Sequence, residues 1–130
     1  MMTDPISDFL ARIRNAQMRG HDQVYVPFSA LKQELAKTLE KNGYIAGMEK
    51  IGKEKAKEQL VINLKYDVSG NPAIVEAKKI SKPGQRIYIH KDKIHPQQFI
   101  LRVISTSKGL MSDKEAKKVG LGGELMCEIK

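Results

Sequence analysis

The chain has 130 residues, of which 41% are hydrophobic, so it is long enough for one domain or two small ones and apolar enough to form a packed core. Its 23 Lys and Arg residues outnumber 15 Asp and Glu residues, and the net charge of +8 favours an anionic partner, nucleic acid before a membrane surface. A single cysteine excludes an intramolecular disulfide, and no apolar stretch approaches the roughly 20 residues of a membrane-spanning helix. Because the N-terminal residues also lack a secretory signal pattern, we expect a cytoplasmic protein.

The first predicted element is a helix. Asp4 is placed to cap it, and Pro5 suits the first helical position. Gly20 is expected to end it. Apolar side chains recur on one face at helical spacing: Ile6, Phe9, Leu10 and Ile13.

A strand, a helix and two further strands are predicted next. Residues 23–28 form the first strand candidate, and Ser29 is expected to cap the second helix. Residues 60–67 alternate between apolar and polar side chains, which is typical of a half-buried strand, and residues 44–51 are predicted to be its partner. The second helix carries an apolar stripe at i, i+4 spacing: Leu31, Leu35 and Leu39.

Residues 68–73, Val-Ser-Gly-Asn-Pro-Ala, are predicted to be a linker, because Ser69, Gly70, Asn71 and Pro72 are all structure-breaking residues. It separates an N-terminal α-β-α-β-β domain over 1–67 from a C-terminal, mainly antiparallel β domain with a short helix over 74–130. The fold class is therefore α+β. We expect the two small domains to pack together, because each alone buries little surface. The C-terminal part is the more basic, with 12 basic and 7 acidic residues after position 66.

Four strands and one short helix are predicted in the second half. The first two strands are joined by Ser81–Gly84, a turn with adjacent proline and glycine. Ser112 and Glu115 form an S-x-x-E capping box, which predicts a helix start. The predicted strands are 74–81, 85–91, 99–106 and 123–129.

The C-terminal run ISTSKGLMSDKEAKKVGLGGELMC carries no convincing catalytic or metal-binding motif. Ser105 and Lys108 spell S-x-x-K, a nucleophile motif of penicillin-recognising enzymes, but the accompanying S-D-N and K-T-G motifs are absent. The glycines near position 122 match no nucleotide-binding pattern.

Cys127 lies in an apolar alternation typical of a buried thiol. No close pair suited to zinc occurs among the soft ligands His21, His90, His95 and Cys127. We expect no enzyme, metal or cofactor.

The same run suits contact with RNA. Small hydroxyl side chains at 105–107 and exposed backbone amides match the shallow minor groove and phosphates of folded RNA, and Lys108 adds charge. Gly122 and Gly123 would let a ribose or phosphate approach the backbone. From these residues alone, an RNA surface and a tight loop without a ligand are equally good interpretations.

Three separated motifs resemble those of the small-subunit ribosomal protein eight family, bacterial type. The chain begins with D-P-I…L-x-R-I-R-N from Asp4, continues with S-K-P-G-x-R-I-Y from Ser81, and ends with STSKG and G-x-G-G-E from Ser105. The motifs occur in the family's order and cover the whole chain. The chain departs from the family pattern at Phe99–Leu101, where relatives usually have glycines, and at Glu128, where they tend to have an aromatic.

The resemblance implies a structural constituent of the small ribosomal subunit. Such a protein is a primary binder of a helical stem in the central domain of 16S ribosomal RNA and helps to assemble the platform. Neighbouring small-subunit proteins are implied partners, and no membrane is involved. The alternative is a free-standing translational repressor that binds messenger RNA, including its own, through the same surface.

The resemblance also implies which residues contact RNA. The C-terminal motif contributes Ser105, Thr106, Ser107, Lys108, Gly109, Gly122, Gly123 and Glu124. The middle motif contributes Arg86 and Tyr88. The N-terminal motif contributes Thr3, Asp4, Pro5, Arg12, Arg14 and Asn15. Since Glu124 is acidic, we expect it to accept hydrogen bonds from base or sugar donors.

Overall fold

The structure, a computed structural model, describes residues 4–130, which form two compact units. One unit is Pro5–Ile74, and the other consists of Asp4 and Val75–Lys130. Helices and antiparallel strands occur together, which confirms the predicted α+β class. Within the described residues, no helix is long and apolar enough to cross a membrane.

The residues predicted as a linker, 68–73, belong to the Pro5–Ile74 unit and form a hydrogen-bonded turn. The Asp67 carboxylate accepts hydrogen bonds from the backbone N–H groups of Ser69 at 2.8 Å and Asn71 at 2.9 Å. These bonds, led by the one from Asn71, lower the pKa of Asp67. The turn therefore has a fixed conformation set by local hydrogen bonds.

The Pro5–Ile74 unit has the predicted α-β-α-β-β order. Its elements are α1 Pro5–Met18, β1 Gln23–Pro27, α2 Ala30–Lys41, β2 Gly47–Ile51 and β3 Gln59–Asn63. A 3₁₀ turn, Lys55–Lys57, lies between β2 and β3, and the strands form an antiparallel sheet in the order β1-β3-β2. The apolar residues of α1 are buried as predicted, and Ser29 caps α2 through a 3.1 Å bond from the Lys32 backbone N–H.

The second unit is built around one central strand. Its elements are β4 Ala77–Lys79, β5 Tyr88–Ile89, β6 Leu101–Thr106, β7 Gly109–Ser112, α3 Asp113–Val119 and β8 Gly123–Ile129, with a 3₁₀ turn at Lys91–Lys93. The strand order is β4-β8-β6-β7, β5 also pairs with β8, and all pairs are antiparallel. The predicted antiparallel character and short helix are confirmed.

Two of the predicted strands in this unit are shorter than expected. The regions 74–81 and 85–91 contain only the three residues of β4 and the two of β5. Lys82 and Gln85 exchange backbone hydrogen bonds of 2.9 Å and close the turn between them. After this turn the chain pairs with a different part of β8, so β4 and β5 lie along β8 and not against each other.

One strand, β7, was not predicted. It follows β6 after a two-residue turn and pairs with it, from Thr106 opposite Gly109 to Val103 opposite Ser112. The predicted helix start after it is confirmed, because the Ser112 hydroxyl caps α3 by accepting a 3.1 Å hydrogen bond from the Glu115 backbone N–H. The cluster of buried residues beneath α3 consists of Ile94, Ile104, Met111 and Ala116, with Ile89 and Leu125 packed against it.

Cys127 lies in β8 and is fully buried, as its apolar surroundings predicted. Burial raises the pKa of its thiol to about 12. The neighbouring Glu128, where the family tends to have an aromatic, lies in register between Lys78 on β4 and Arg102 on β6.

Candidate nucleic-acid interface

The middle and C-terminal motifs meet on β8. Glu124 of β8 is the register partner of Ser105 on β6 and of Tyr88 on β5. Directly opposed residues of antiparallel strands share a face of the sheet. The residues beside them in sequence point into the cluster beneath α3: Ile89, Ile104 and Leu125. Tyr88, Ser105 and Glu124 therefore form the opposite face, which we call the outer face.

A hairpin turn lies next to the outer face. Ser107 and Lys108 form its two-residue tip and are exposed. The Thr106 hydroxyl donates a 2.9 Å hydrogen bond to the Gly109 carbonyl oxygen and accepts one of 3.1 Å from the Lys108 backbone N–H. Gly109 has a φ of 105°, a conformation that favours glycine. Thr106 and Gly109 therefore shape the turn and hold Ser107 and Lys108 outward.

The serine hydroxyls of this hairpin remain available. Within residues 4–130, neither Ser105 nor Ser107 uses its side chain in a hydrogen bond. Ser105 is half-buried on the outer face, whereas Ser107 is exposed at the tip. Both hydroxyls can donate and accept hydrogen bonds to an added partner.

One carboxylate oxygen of Glu124 accepts two hydrogen bonds from residues of its own unit. Its Oε2 accepts a hydrogen bond from the Ser81 hydroxyl and another, of 3.1 Å, from Nη1 of Arg86. The Ser81 hydrogen bond, followed by the Arg86 contact, lowers the pKa of Glu124 against the opposing effect of desolvation. The carboxylate is therefore ionised, and its Oε2 atom is held within the protein; acceptance of base or sugar donors by Glu124 stays a prediction.

The two glycines before Glu124 are required by internal packing. A Cβ atom on Gly122 would collide with the Ile89 carbonyl oxygen and lie 2.8 Å from the Lys91 backbone nitrogen. One on Gly123 would collide with the carbonyl oxygen of Ser105. The structure gives these glycines a packing role, because they let the backbone of residues 89–91 and of Ser105 approach closely; that they also let RNA approach stays a prediction.

The three charged residues predicted from the N-terminal motif have partners within their own units. Asp4 lies 3.9 Å from the Lys79 Nζ atom. On α1, Arg12 donates a 2.9 Å hydrogen bond to Asp8, and Arg14 donates one of 2.8 Å to the Ile74 carbonyl oxygen. Pro5 and Asn15 are exposed on the same helix. Thr3, the remaining predicted residue of this motif, lies outside the described residues.

A family model described as Ribosomal protein S8 matches residues 4–129. The chain belongs to the ribosomal protein S8 family. It is 45% identical over 132 residues to small ribosomal subunit protein uS8 of Dehalococcoides mccartyi, with 99% of each chain covered. It is 47% identical over 132 residues to that of Syntrophomonas wolfei, with 99% of this chain and 98% of the relative covered. S8-family members are structural RNA-binding proteins and not enzymes.

Two residues that support the outer face of this S8-family protein were not predicted as site residues. Ser81 is fully buried, and its hydroxyl accepts a 3.2 Å hydrogen bond from the Ile87 backbone N–H while it donates to Glu124. Lys79 donates a hydrogen bond from Nζ to the Ser81 carbonyl oxygen. The sequence signal for Ser81 was its place at the start of the S-K-P-G-x-R-I-Y motif, from which only Arg86 and Tyr88 were predicted as site residues.

An open groove of about 550 Å³ adjoins the outer face. The Nδ1 atom of His90 lies 3.2 Å from the Asp92 backbone nitrogen and 3.3 Å from the Asp92 carboxylate oxygen Oδ2, so both contacts hold the ring beside the groove. The groove is lined by Tyr88, Ile89, His90, Lys91, Gly122 and Gly123. Exposed cations occur in the segments that border the groove and the outer face: Lys82, Arg86, Lys91, Lys93 and Lys108.

Proposed function

We propose that this S8-family protein is a structural constituent of the small ribosomal subunit and a primary binder of a helical stem in the central domain of 16S ribosomal RNA. Binding there would help to assemble the platform of the subunit in the cytoplasm, beside neighbouring small-subunit proteins. The observation that carries the proposal is the meeting of two distant motifs on one sheet, where Tyr88, Glu124 and Ser105 lie side by side on β5, β8 and β6. The relatives' name, small ribosomal subunit protein uS8, supports it.

The chemistry of the outer face and hairpin suits RNA. The Ser105 and Ser107 hydroxyls match the 2′-hydroxyls and base edges of a shallow minor groove, and Lys108 and Arg86 match phosphates. Tyr88 is 71% exposed and offers a ring for contact with sugar or base.

The other proposed RNA-contacting residues shape the outer face and hairpin or belong to the N-terminal motif. Thr106, Gly109, Gly122, Gly123 and Glu124 shape the outer face and hairpin, so their effect on RNA binding is through the shape of that surface. The N-terminal motif contributes the remaining proposed contacts: Thr3, Asp4, Pro5, Arg12, Arg14 and Asn15.

Repression of messenger RNA, including the protein's own, is the alternative function. It would use the same surface on a messenger stem of similar shape, so the site cannot separate the two. A structural constituent should co-sediment with small subunits at close to one copy per subunit. A free-standing regulator should remain mostly outside the subunit fraction.

Footprinting on 16S ribosomal RNA tests the proposal. Wild-type protein should protect one stem of the central domain, and Lys108→Ala should weaken that protection. Lys117→Ala is the matched control, because Lys117 is also exposed but lies on α3, which packs on the core side of the sheet. Absence of any protected stem, or equal effects of the two variants, would contradict the proposed site.

A further inference from the structure

Ser81 lies beneath the outer face without reaching solvent. It is 0% exposed, so it cannot touch RNA in this structure. Its hydroxyl is used twice, as acceptor from the Ile87 backbone N–H and as donor to Glu124. A buried hydroxyl that both donates and accepts a hydrogen bond fixes the relative position of the two groups that it joins. Ser81 thereby joins the chain leading to Tyr88 to a carboxylate on β8.

Lys79 holds Ser81 from the other side. Its side chain is only 9% exposed, and its ammonium group donates to the Ser81 carbonyl oxygen. The ammonium also lies 3.9 Å from the Asp4 carboxylate, and its charge contributes to the lowered pKa of Glu124. A buried ammonium needs such partners, because its desolvation is costly.

Glu124 transmits this arrangement to Arg86. The two side chains are 3.1 Å apart, with Glu124 19% exposed and Arg86 49% exposed. One Nη1 bond to Glu124 holds the guanidinium group, which has five N–H donors in all, so donors remain for a phosphate. Charges alternate along the series from Asp4 through Lys79 and Glu124 to Arg86.

We propose that Ser81 and Lys79 are positioning residues, which hold Glu124 and through it orient Arg86 for RNA binding without contacting RNA themselves. Arg86 is the member of the series that meets a phosphate. This inference rests on the proposed function and adds to it a reason for an acidic side chain within an RNA-binding surface.

Glu124→Gln is the sharpest test, because two accounts predict opposite signs. Removing one negative charge raises the net charge of +8 by one, so a purely electrostatic role predicts tighter RNA binding and an unchanged or steeper salt dependence. Positioning of Arg86 predicts roughly three- to tenfold weaker binding, the loss expected for about one net hydrogen bond. The salt slope should also fall by about one, as expected when one phosphate contact is lost.

Ser81→Ala tests the buried end of the series. It should weaken RNA binding in the same range and lower the salt slope as Arg86→Ala does. In an Arg86→Ala background, Ser81→Ala should change affinity by less than about twofold, because the two residues act through one contact. Ser112→Ala is the matched control: it removes another buried serine hydroxyl of the same unit, which caps α3, and should leave RNA affinity unchanged.

Circular dichroism and thermal unfolding establish that each variant is folded before binding to the 16S central-domain RNA is measured. If Ser81→Ala does not fold, the direction in which Glu124→Gln changes RNA affinity is sufficient to test the positioning role. Tighter or unchanged binding by folded Glu124→Gln, or additive effects of Ser81→Ala and Arg86→Ala, overturns the positioning role. If wild-type protein does not bind this RNA at all, the proposed function fails instead.

Discussion

Ser105 and Glu124 lie directly opposite each other on β6 and β8, although a helix and a strand separate them in the chain. This register joins the hairpin with its hydroxyl side chains to the carboxylate that holds Arg86. Tyr88 completes the row from the other side of β8. A change that disturbs the contacts between these strands should therefore affect the whole outer face. We expect the largest effect from substitution of Gly122 or Gly123, where the backbones approach most closely.

Gly122→Ala and Gly123→Ala should each destabilise the protein by about 1–3 kcal/mol, the usual effect of overpacking. The added Cβ atoms would collide with backbone carbonyl oxygens, which no side-chain rotation can relieve. Gly84→Ala is the control, since nothing lies within 4 Å of its Cβ position, and should change stability by less than about 0.5 kcal/mol. Urea denaturation measures all three, and equal stabilities would contradict the tight packing on β8.

The hairpin offers a pair of hydroxyl removals with opposite consequences. Thr106→Val should destabilise the protein by about 1 kcal/mol, because it removes the hydroxyl that bonds Lys108 and Gly109. Ser107→Ala should leave stability unchanged but weaken RNA binding by about 0.5–1.5 kcal/mol, the net value of one hydrogen bond. Thermal unfolding and RNA titration on both variants check this, and a Ser107 variant that binds like wild type would remove Ser107 from the interface.

The contribution of Glu124 to stability should depend on pH. Its pKa in the folded protein is lowered from 4.5, chiefly by the Ser81 hydrogen bond and then by Arg86. A lowered folded pKa means that the stabilisation is fully present above the unfolded pKa and is lost as the pH falls through the folded pKa. The difference in unfolding free energy between wild type and Glu124→Gln should be constant near neutral pH and shrink below 4.5. A difference that stays constant down to acid pH would be inconsistent with the ion pair.

Phe99 has an unfavourable backbone conformation for its side chain. Its φ is 65°, and the ring is 82% exposed, so little burial offsets the strain of about 1–2 kcal/mol. Phe99→Gly should raise the free energy of unfolding by about 0.5–1 kcal/mol, because the relief exceeds the greater unfolded-state entropy of glycine. Phe99→Val should lower it, since a β-branched residue tolerates positive φ poorly. Urea midpoints of the two variants should therefore move in opposite directions, and a shift in the same direction would refute the strain.

The Phe99 position also shows how far the sequence could lead. The resemblance indicated that relatives usually have glycines at Phe99–Leu101 and that this chain departs from them. The sequence could not show that Phe99 itself takes the positive φ. Local signals such as the Ser29 and Ser112 caps were sufficient to place helix starts, because capping involves only a few neighbouring residues.

The pairing on β8 could not be predicted in the same way. β4 and β5 are short and have no strong alternation of their own, and their positions depend on a distant strand. β7 was missed because Ser107 and Lys108 are not typical residues of a two-residue turn, in which asparagine and glycine usually provide positive φ. Here the Thr106 hydroxyl and Gly109 close the turn instead. The link from Ser81 to Glu124 likewise joins residues that are close only after the sheet has formed.

Equilibrium binding to a 16S central-domain stem, compared with DNA of matched sequence, tests the central claim most directly. If the outer face and hairpin recognise RNA through 2′-hydroxyls and phosphates, the protein should prefer the RNA. Two to four phosphate contacts should give a slope of log K against log salt of roughly −2 to −4 between about 50 and 200 mM salt. Equal affinity for RNA and DNA, or an affinity independent of salt, would contradict the account.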